Sequence, residues 1–281
     1  MNWRALLGVL LLTAGCGPET EQPPDRPFLE RLTVGVANDA PGFSTGSTNL
    51  SGFDIDLMHF LADSLQVPAA PTIVTSRNRV AILKNRSVNL VISNFSITRE
   101  RNEQGVDFAG PYMVTDQALL VRADDHRITD RGSVRGKSIC TEDTTTASLV
   151  DIPGADMNTK RPTTRDCVEQ LAAKGTDAVF NDTLVLYGYV QAHPGKYRVV
   201  LPGTFGQLQF YGVAILRGHR DECRKLNEKI KLFLRNDWVR RFQDQFPKVV
   251  EEYSGSDDSG NYESEFKPTD ADMESLSCKL R

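Results

Sequence analysis

The chain has 281 residues, of which 40% are hydrophobic and 25% charged, and a formal net charge of −4. This is an ordinary globular composition, enough for one large core or two modest ones. Residues 251–281 carry nine acidic and three basic side chains, so the negative balance belongs to the tail, and no basic patch points to nucleic acid.

Residues 1–15 combine a single basic side chain at Arg4, an apolar run from Ala5 to Leu12, and small residues ahead of Cys16. That is the layout of a signal peptide, and the run is too short to span a membrane. LLTAGC reads as a lipobox, with Thr13 where Leu is usual. The thiol of Cys16 is expected to take a diacylglycerol, leaving the protein extracytoplasmic and anchored by lipid to the outer face of the cell membrane. Residues 16–27, rich in Pro and acids, form a tether.

LTVGVA, Leu32 to Ala37, reads as a buried parallel strand. FDIDLMHFLADSL places Ile55, Leu57, Met58, Leu61 and Leu65 on one helical face, with Asp54 as the expected cap and Asp56 solvated. TIVTS is a strand, RVAILKNRSV a helix and NLVISNF a strand, giving βαβαβ. After a polar stretch the pattern repeats: a strand KSICT, a helix from Thr146, a helix TRDCVEQLAAKG and a strand DAVFND. Two α/β units in tandem imply two lobes, with ligand sites at the carboxyl ends of their strands. The tail from Glu251, rich in Ser, Gly and Asp, is expected to be flexible.

Besides Cys16 there are four cysteines, Cys140, Cys167, Cys223 and Cys278. An even count in an exported chain favours disulfides, with three connectivities open. The histidines are scattered and no zinc spacing occurs, so neither metal nor cofactor is expected.

VNLVISNFSITRER, Val88 to Arg101, is an apolar strand that delivers Asn94, Ser96 and the Arg101 guanidinium to one place. Hydroxyl, backbone and bidentate donors together suit a carboxylate. Asp182 directly follows an apolar strand, where a buried charge is costly without a cation. Thr144, Thr145 and Thr146 precede a helix, whose free amides attract anions.

With GFDIDLMHFLADSL and the NDT at Asn181 to Thr183, these features resemble family 3 solute-binding proteins, the polar amino-acid receptors of ABC importers. The resemblance covers roughly residues 32–246 and implies an α/β, two-lobed periplasmic-binding-protein fold, each lobe a mixed, mainly parallel sheet flanked by helices. Residues 28–112 and 210–250 would form lobe one and 113–209 lobe two, joined by hinge crossovers near Pro111 to Asp116 and Gly206 to Tyr211. Arg101 and Ser96 then correspond to the binders of a ligand's α-carboxylate, Thr145 to a further contact from lobe two, and Asp182 to the partner of its ammonium. The backbone carbonyl of Asn94 would assist Asp182. TSRNR, Thr75 to Arg79, resembles the glutamate/aspartate branch, which sets a serine and an arginine, here Ser76 and Arg79, against the side-chain carboxylate. Arg77 is expected to be solvated. Many members of that branch add a basic residue after the first strand, where this chain has Ala37.

SIC with DCVEQL resembles actinobacterial glutamate-binding lipoproteins in particular, and favours pairing Cys140 with Cys167 and Cys223 with Cys278. The resemblance implies a monomeric receptor for glutamate or a related amino acid that docks on an ABC permease and performs no chemistry. The same fold also serves amino-acid sensors of membrane signalling systems and a few dehydratase-like enzymes. The enzymes need a general acid, and here every acid but Asp182 is expected to be a cap or solvated.

Overall fold

A computed structural model describes residues 30–254 and 261–279; the signal segment, Cys16 and the tether lie outside them. The first lobe opens with β1 (Leu32–Val36), a small hairpin of β2 (Asp39–Ala40) and β3 (Ser44–Thr45), and α1 (Phe53–Leu65). It continues with β4 (Ala69–Ile73), α2 (Arg79–Lys84), β5 (Leu90–Val91), α3 (Arg99–Glu103) and the long β6 (Val106–Thr115). One residue later β7 (Gln117–Arg122) begins the second lobe, followed by β8 (Ser138–Glu142), β9 (Asp156–Arg161), α4 (Thr164–Ala172), β10 (Ala178–Asp182), α5 (Thr183–Ala192) and β11 (Tyr197–Val200). The chain returns through β12 (Gln209–Leu216) to α6 (Arg220–Asn236), α7 (Trp238–Gln245), α8 (Pro247–Tyr253), α9 (Tyr262–Phe266) and α10 (Asp270–Leu276).

Each lobe is built on a five-stranded mixed sheet, in the order β4-β1-β5-β12-β6 and β11-β7-β10-β8-β9. In the first, β4, β1 and β5 are parallel and β12 runs antiparallel to β5 and β6; in the second, β9, β8 and β10 are parallel and β7 is antiparallel to β10. β6 is buried along its whole length, so the strand that leads to the crossover is a core element of lobe one.

Several expectations are corrected. Asp54 does not cap α1: Gly52 holds the cap position at φ 133°, and a Cβ there would lie 2.2 Å from the Phe43 carbonyl oxygen. Asp54 instead points inward and is wholly buried. Asp56 pairs with Arg241 at 2.9 Å. The helix from Thr146 is a single 3-10 turn, Ala147–Leu149.

The largest correction concerns the tail. Residues 261–279 are folded onto lobe one. Asn261 and Thr269 cap α9 and α10, the latter in a reciprocal capping box with Asp272. Tyr262, Phe266 and Met273 are buried, and Phe242 stacks on Trp238, Tyr262 and Phe266 at centroid distances of 4.6, 5.3 and 5.7 Å. The Cys278 amide donates to the Phe108 carbonyl of β6 at 2.7 Å. Three buried side chains of this size contribute roughly 1.5–3 kcal/mol each, which holds the segment against the fold despite its acidic, polar composition. Two disulfides, Cys140–Cys167 and Cys223–Cys278, complete the scaffold.

Candidate functional site

The polar residues gather where the carboxyl ends of β1, β5, β8 and β10 meet between the lobes. At the centre lies the buried ring of Phe95. The Arg79 guanidinium carbon sits 3.8 Å from its centroid and that of Arg101 4.4 Å away. Both cations are withdrawn from water, at 3% and 9% exposure, and ring stacking is one of the few interactions a desolvated guanidinium can keep there. Arg79 Nη1 donates to the Ser93 carbonyl at 2.9 Å, and Arg101 Nη1 to the Ser96 carbonyl. Arg79 Nε is buried with no hydrogen-bond partner among the described residues. Burial lowers the pKa of Arg79 to about 10; Arg101 is also lowered, by burial and by the charge of Arg79.

Two hydrogen-bonded networks flank this pair. The first surrounds Asp182, which ends β10: one carboxylate oxygen accepts from Gln117 Nε2 at 3.0 Å, the other from the Tyr211 hydroxyl at 2.5 Å. Burial raises the Asp182 pKa, and the hydrogen bonds from Tyr211 and Gln117 and the charge of Arg101 pull it back. The backbone of Ser96 bridges to Tyr211, which ties the Arg101 turn to the returning hinge strand. The second network joins Glu142, at the end of β8, to the start of α4. Glu142 Oε2 accepts from the Thr164 amide at 3.1 Å and its hydroxyl at 2.5 Å, and Asn181 Nδ2 donates to that hydroxyl at 2.7 Å. Ser76 of lobe one lines the same cavity and pulls the Glu142 pKa down against the effect of burial. Asp54 lies behind Asn94, accepting from its amide at 2.9 Å and from the Tyr112 hydroxyl at 2.8 Å. Desolvation raises its pKa to about 7.

Arg79, Arg101, Ser96 and Asp182 are thus all buried, with Arg79 and Arg101 on one ring and Asp182 bonded to Tyr211, whose backbone bridges to Ser96. Ser76 and Asn94 line a cavity of about 20 Å³ together with Ala37, Asp39, Glu142 and Thr164. Asn94 takes the left-handed conformation, φ 36°, turning its amide toward Asp54. Thr145 closes its own turn, its hydroxyl donating to the Glu142 carbonyl at 2.7 Å. Its neighbour Thr146 reaches the Asp182 network instead, accepting from Gln117 at 3.5 Å. Arg77 pairs across the lobes with Asp143 at 2.8 Å, and of the arginines in ITRER it is Arg99, not Arg101, that pairs with Glu103.

Sequence reasoning missed Gln117, Tyr211, Glu142 and the inward turn of Asp54, so the supposition that only Asp182 among the acids faces the cleft is corrected. For Glu142 a signal existed, its place at the carboxyl end of a core strand; Tyr211 comes from the returning strand β12, 29 residues beyond Asp182, with no local motif.

The lobes also meet outside the site. The Tyr189 hydroxyl of α5 donates to the Asp39 carbonyl at 2.7 Å, and a Cβ on Gly188 would stand 1.9 Å from the Pro41 carbonyl oxygen.

Comparison with known proteins gives a consistent picture. The family described as bacterial extracellular solute-binding proteins, family 3, matches residues 32–251. The glutamate-binding protein GluB of Corynebacterium efficiens is 29% identical over 227 residues, covering 75% of this chain and 76% of the relative. GluB of Corynebacterium glutamicum is 30% identical over 216 residues, 71% and 72% of the two chains. Among solved structures, an ancestral arginine-binding protein bound to glutamine superposes with a TM-score of 0.69 at 25% identity, covering 77% of this chain and 98% of that one. The likeness bears out the two-lobed periplasmic-binding-protein fold.

Proposed function

The chain belongs to the bacterial extracellular solute-binding proteins of family 3, and on that premise we propose that it is an amino-acid receptor that closes on glutamate or a close relative and delivers it to an ABC permease. The observation that carries this reading is the pair of buried guanidinium groups on Phe95, one of them with an unmet donor. A buried donor without an acceptor costs about 1–3 kcal/mol, so the site favours a ligand that supplies one. Every α-amino acid brings one carboxylate, which this reading assigns to Arg101 and Ser96, and an ammonium, which it assigns to Asp182. The second cation, Arg79 with Ser76, then suits a second carboxylate on the ligand side chain. The Asn94 carbonyl would assist Asp182, and Thr145 would add a contact to the α-carboxylate from lobe two. The Corynebacterium relatives named as glutamate-binding proteins support the same ligand. The role is binding without chemistry, by a protein held outside the cell through the lipid on Cys16.

Calorimetry of the purified protein against the twenty amino acids tests the ligand, and two variants test the assignment. Arg101→Ala removes the partner of a group that all amino acids share, so affinity falls for every ligand by about 2–5 kcal/mol. Arg79→Ala weakens glutamate and spares glutamine, whose amide leaves no stranded charge. Unchanged glutamate binding in Arg79→Ala refutes the dicarboxylate assignment.

A further inference from the structure

Arg79 faces an acid as well as its own lobe. Glu142 is foremost among the anionic groups acting on its charge, ahead of Asp182, and it reaches the cavity from the opposite lobe. Its carboxylate is anchored by Thr164 and shares the cavity with Ser76, the hydroxyl assigned above to a ligand side chain. A side-chain carboxylate drawn to Arg79 and Ser76 therefore arrives beside a second carboxylate fixed in a space of about 20 Å³.

We infer that Glu142 is the specificity-determining residue of this site, and that a ligand side-chain carboxylate is captured together with one proton that it shares with Glu142. The inference rests on the glutamate reading above. Two carboxylates in contact cannot both stay ionised in a water-poor cleft. One proton from bulk solvent forms an O–H bond on the pair, a carboxyl donating to a carboxylate, and Arg79 neutralises the remaining charge. An amide end needs no proton, because its N–H donates to ionised Glu142. The protein thus discriminates acid from amide by pH: glutamate is favoured as pH falls, and glutamine is indifferent.

The charged and titratable groups around Glu142 are Arg79 from α2, Asp39 from β2 and Tyr189 from α5, with Arg165 and Asp166 of α4 beyond Asp39. Asp54 and Asp182 face Arg79 from α1 and β10. Burial already raises the pKa of Glu142, and the ligand's charge raises it further on binding, which is the sign that requires proton uptake. Asp54 is the rival proton holder, so it serves as the control.

The test is titration calorimetry at pH 6 and pH 8, each in two buffers of different ionisation heat, which counts protons directly. The wild type should take up close to one proton with glutamate and none with glutamine, its glutamate affinity falling up to tenfold per pH unit as pH rises. Glu142→Gln should bind glutamate without proton uptake and with no dependence on pH, while Asp54→Asn keeps the wild-type proton count. Glutamate binding by the wild type with no proton uptake at either pH overturns the inference and leaves the ligand assignment standing, and this arm needs no variant. Proton uptake that persists in Glu142→Gln overturns it equally. Failure of the wild type to bind glutamate at all overturns the ligand assignment and the inference with it.

Discussion

Asp54 is a wholly buried acid whose protonation ties stability to pH. Its pKa is raised by desolvation from 3.8 to about 7, against the hydrogen bonds from Tyr112 and Asn94. A folded state that holds a proton the unfolded chain has released loses stability as pH rises. The loss runs from the ordinary value near 3.8 to the raised value of about 7 and is constant above it. Asp54→Asn keeps the shape, offers an oxygen to the Asn94 amide, and removes this dependence. Thermal melts at pH 5 and pH 8 should show a smaller drop for Asp54→Asn than for wild type; equal drops would place the pH response elsewhere. The same residue marks the edge of what a sequence discloses. Arg79 and Arg101 were legible because TSRNR and ITRER resemble the motifs that carry the cations of family 3 receptors. Asp54 in GFDIDL looks like any acid in a first helical turn, and its inward partners, the Asn94 amide and the Tyr112 hydroxyl, lie 40 and 58 residues away.

At the level of elements, the strands and helices with a strong apolar period, β1, α1, α4 and β10, were legible, since their patterns match the face each presents to a sheet. The 3-10 turn after Thr146 was not, because three threonines read equally well as a helix start. α9 and α10 escaped for a different reason: a tail averaged over thirty-one residues is acidic and polar, while three side chains, Tyr262, Phe266 and Met273, do the packing. The docked tail makes the Cys223–Cys278 bond structurally significant, since it joins α6 to the segment that covers β6. On the chain-entropy account, closing loops with sequence separations of 27 and 55 residues stabilises by about 3.5 and 4 kcal/mol. Replacing Cys223 and Cys278 together by Ser should therefore lower the melting temperature at least as much as replacing Cys140 and Cys167, and should expose the segment around Lys267 to protease. A tail that stays protease-resistant without its disulfide would show that the aromatic stack holds it alone.

For the whole molecule, the proposed division of the site between the lobes would make binding and closure one event. A ligand held by Arg79 and Arg101 from one side and Asp182 from the other favours the closed state by its differential affinity for it. The exposed Arg77–Asp143 pair adds only a few tenths of a kcal/mol to that preference. Small-angle scattering should report a smaller radius of gyration at saturating ligand, and an unchanged profile would contradict closure.

The contact between Gly188 and Pro41 turns this into a mechanical matter. With 1.9 Å between a would-be Cβ and a backbone oxygen, a single methyl group at position 188 is a wedge in the jaw: it touches no ligand, alters no charge, and holds the lobes apart. Gly188→Ala would leave every binding group in place yet weaken all ligands by the same factor, because the fraction of molecules able to shut is what has changed. Its scattering profile should stay expanded at ligand concentrations that shut the wild type. On the proposed assignment the buried charges act on ligand affinity by contact, whereas this bare patch of helix, touching no ligand, acts on it through closure alone.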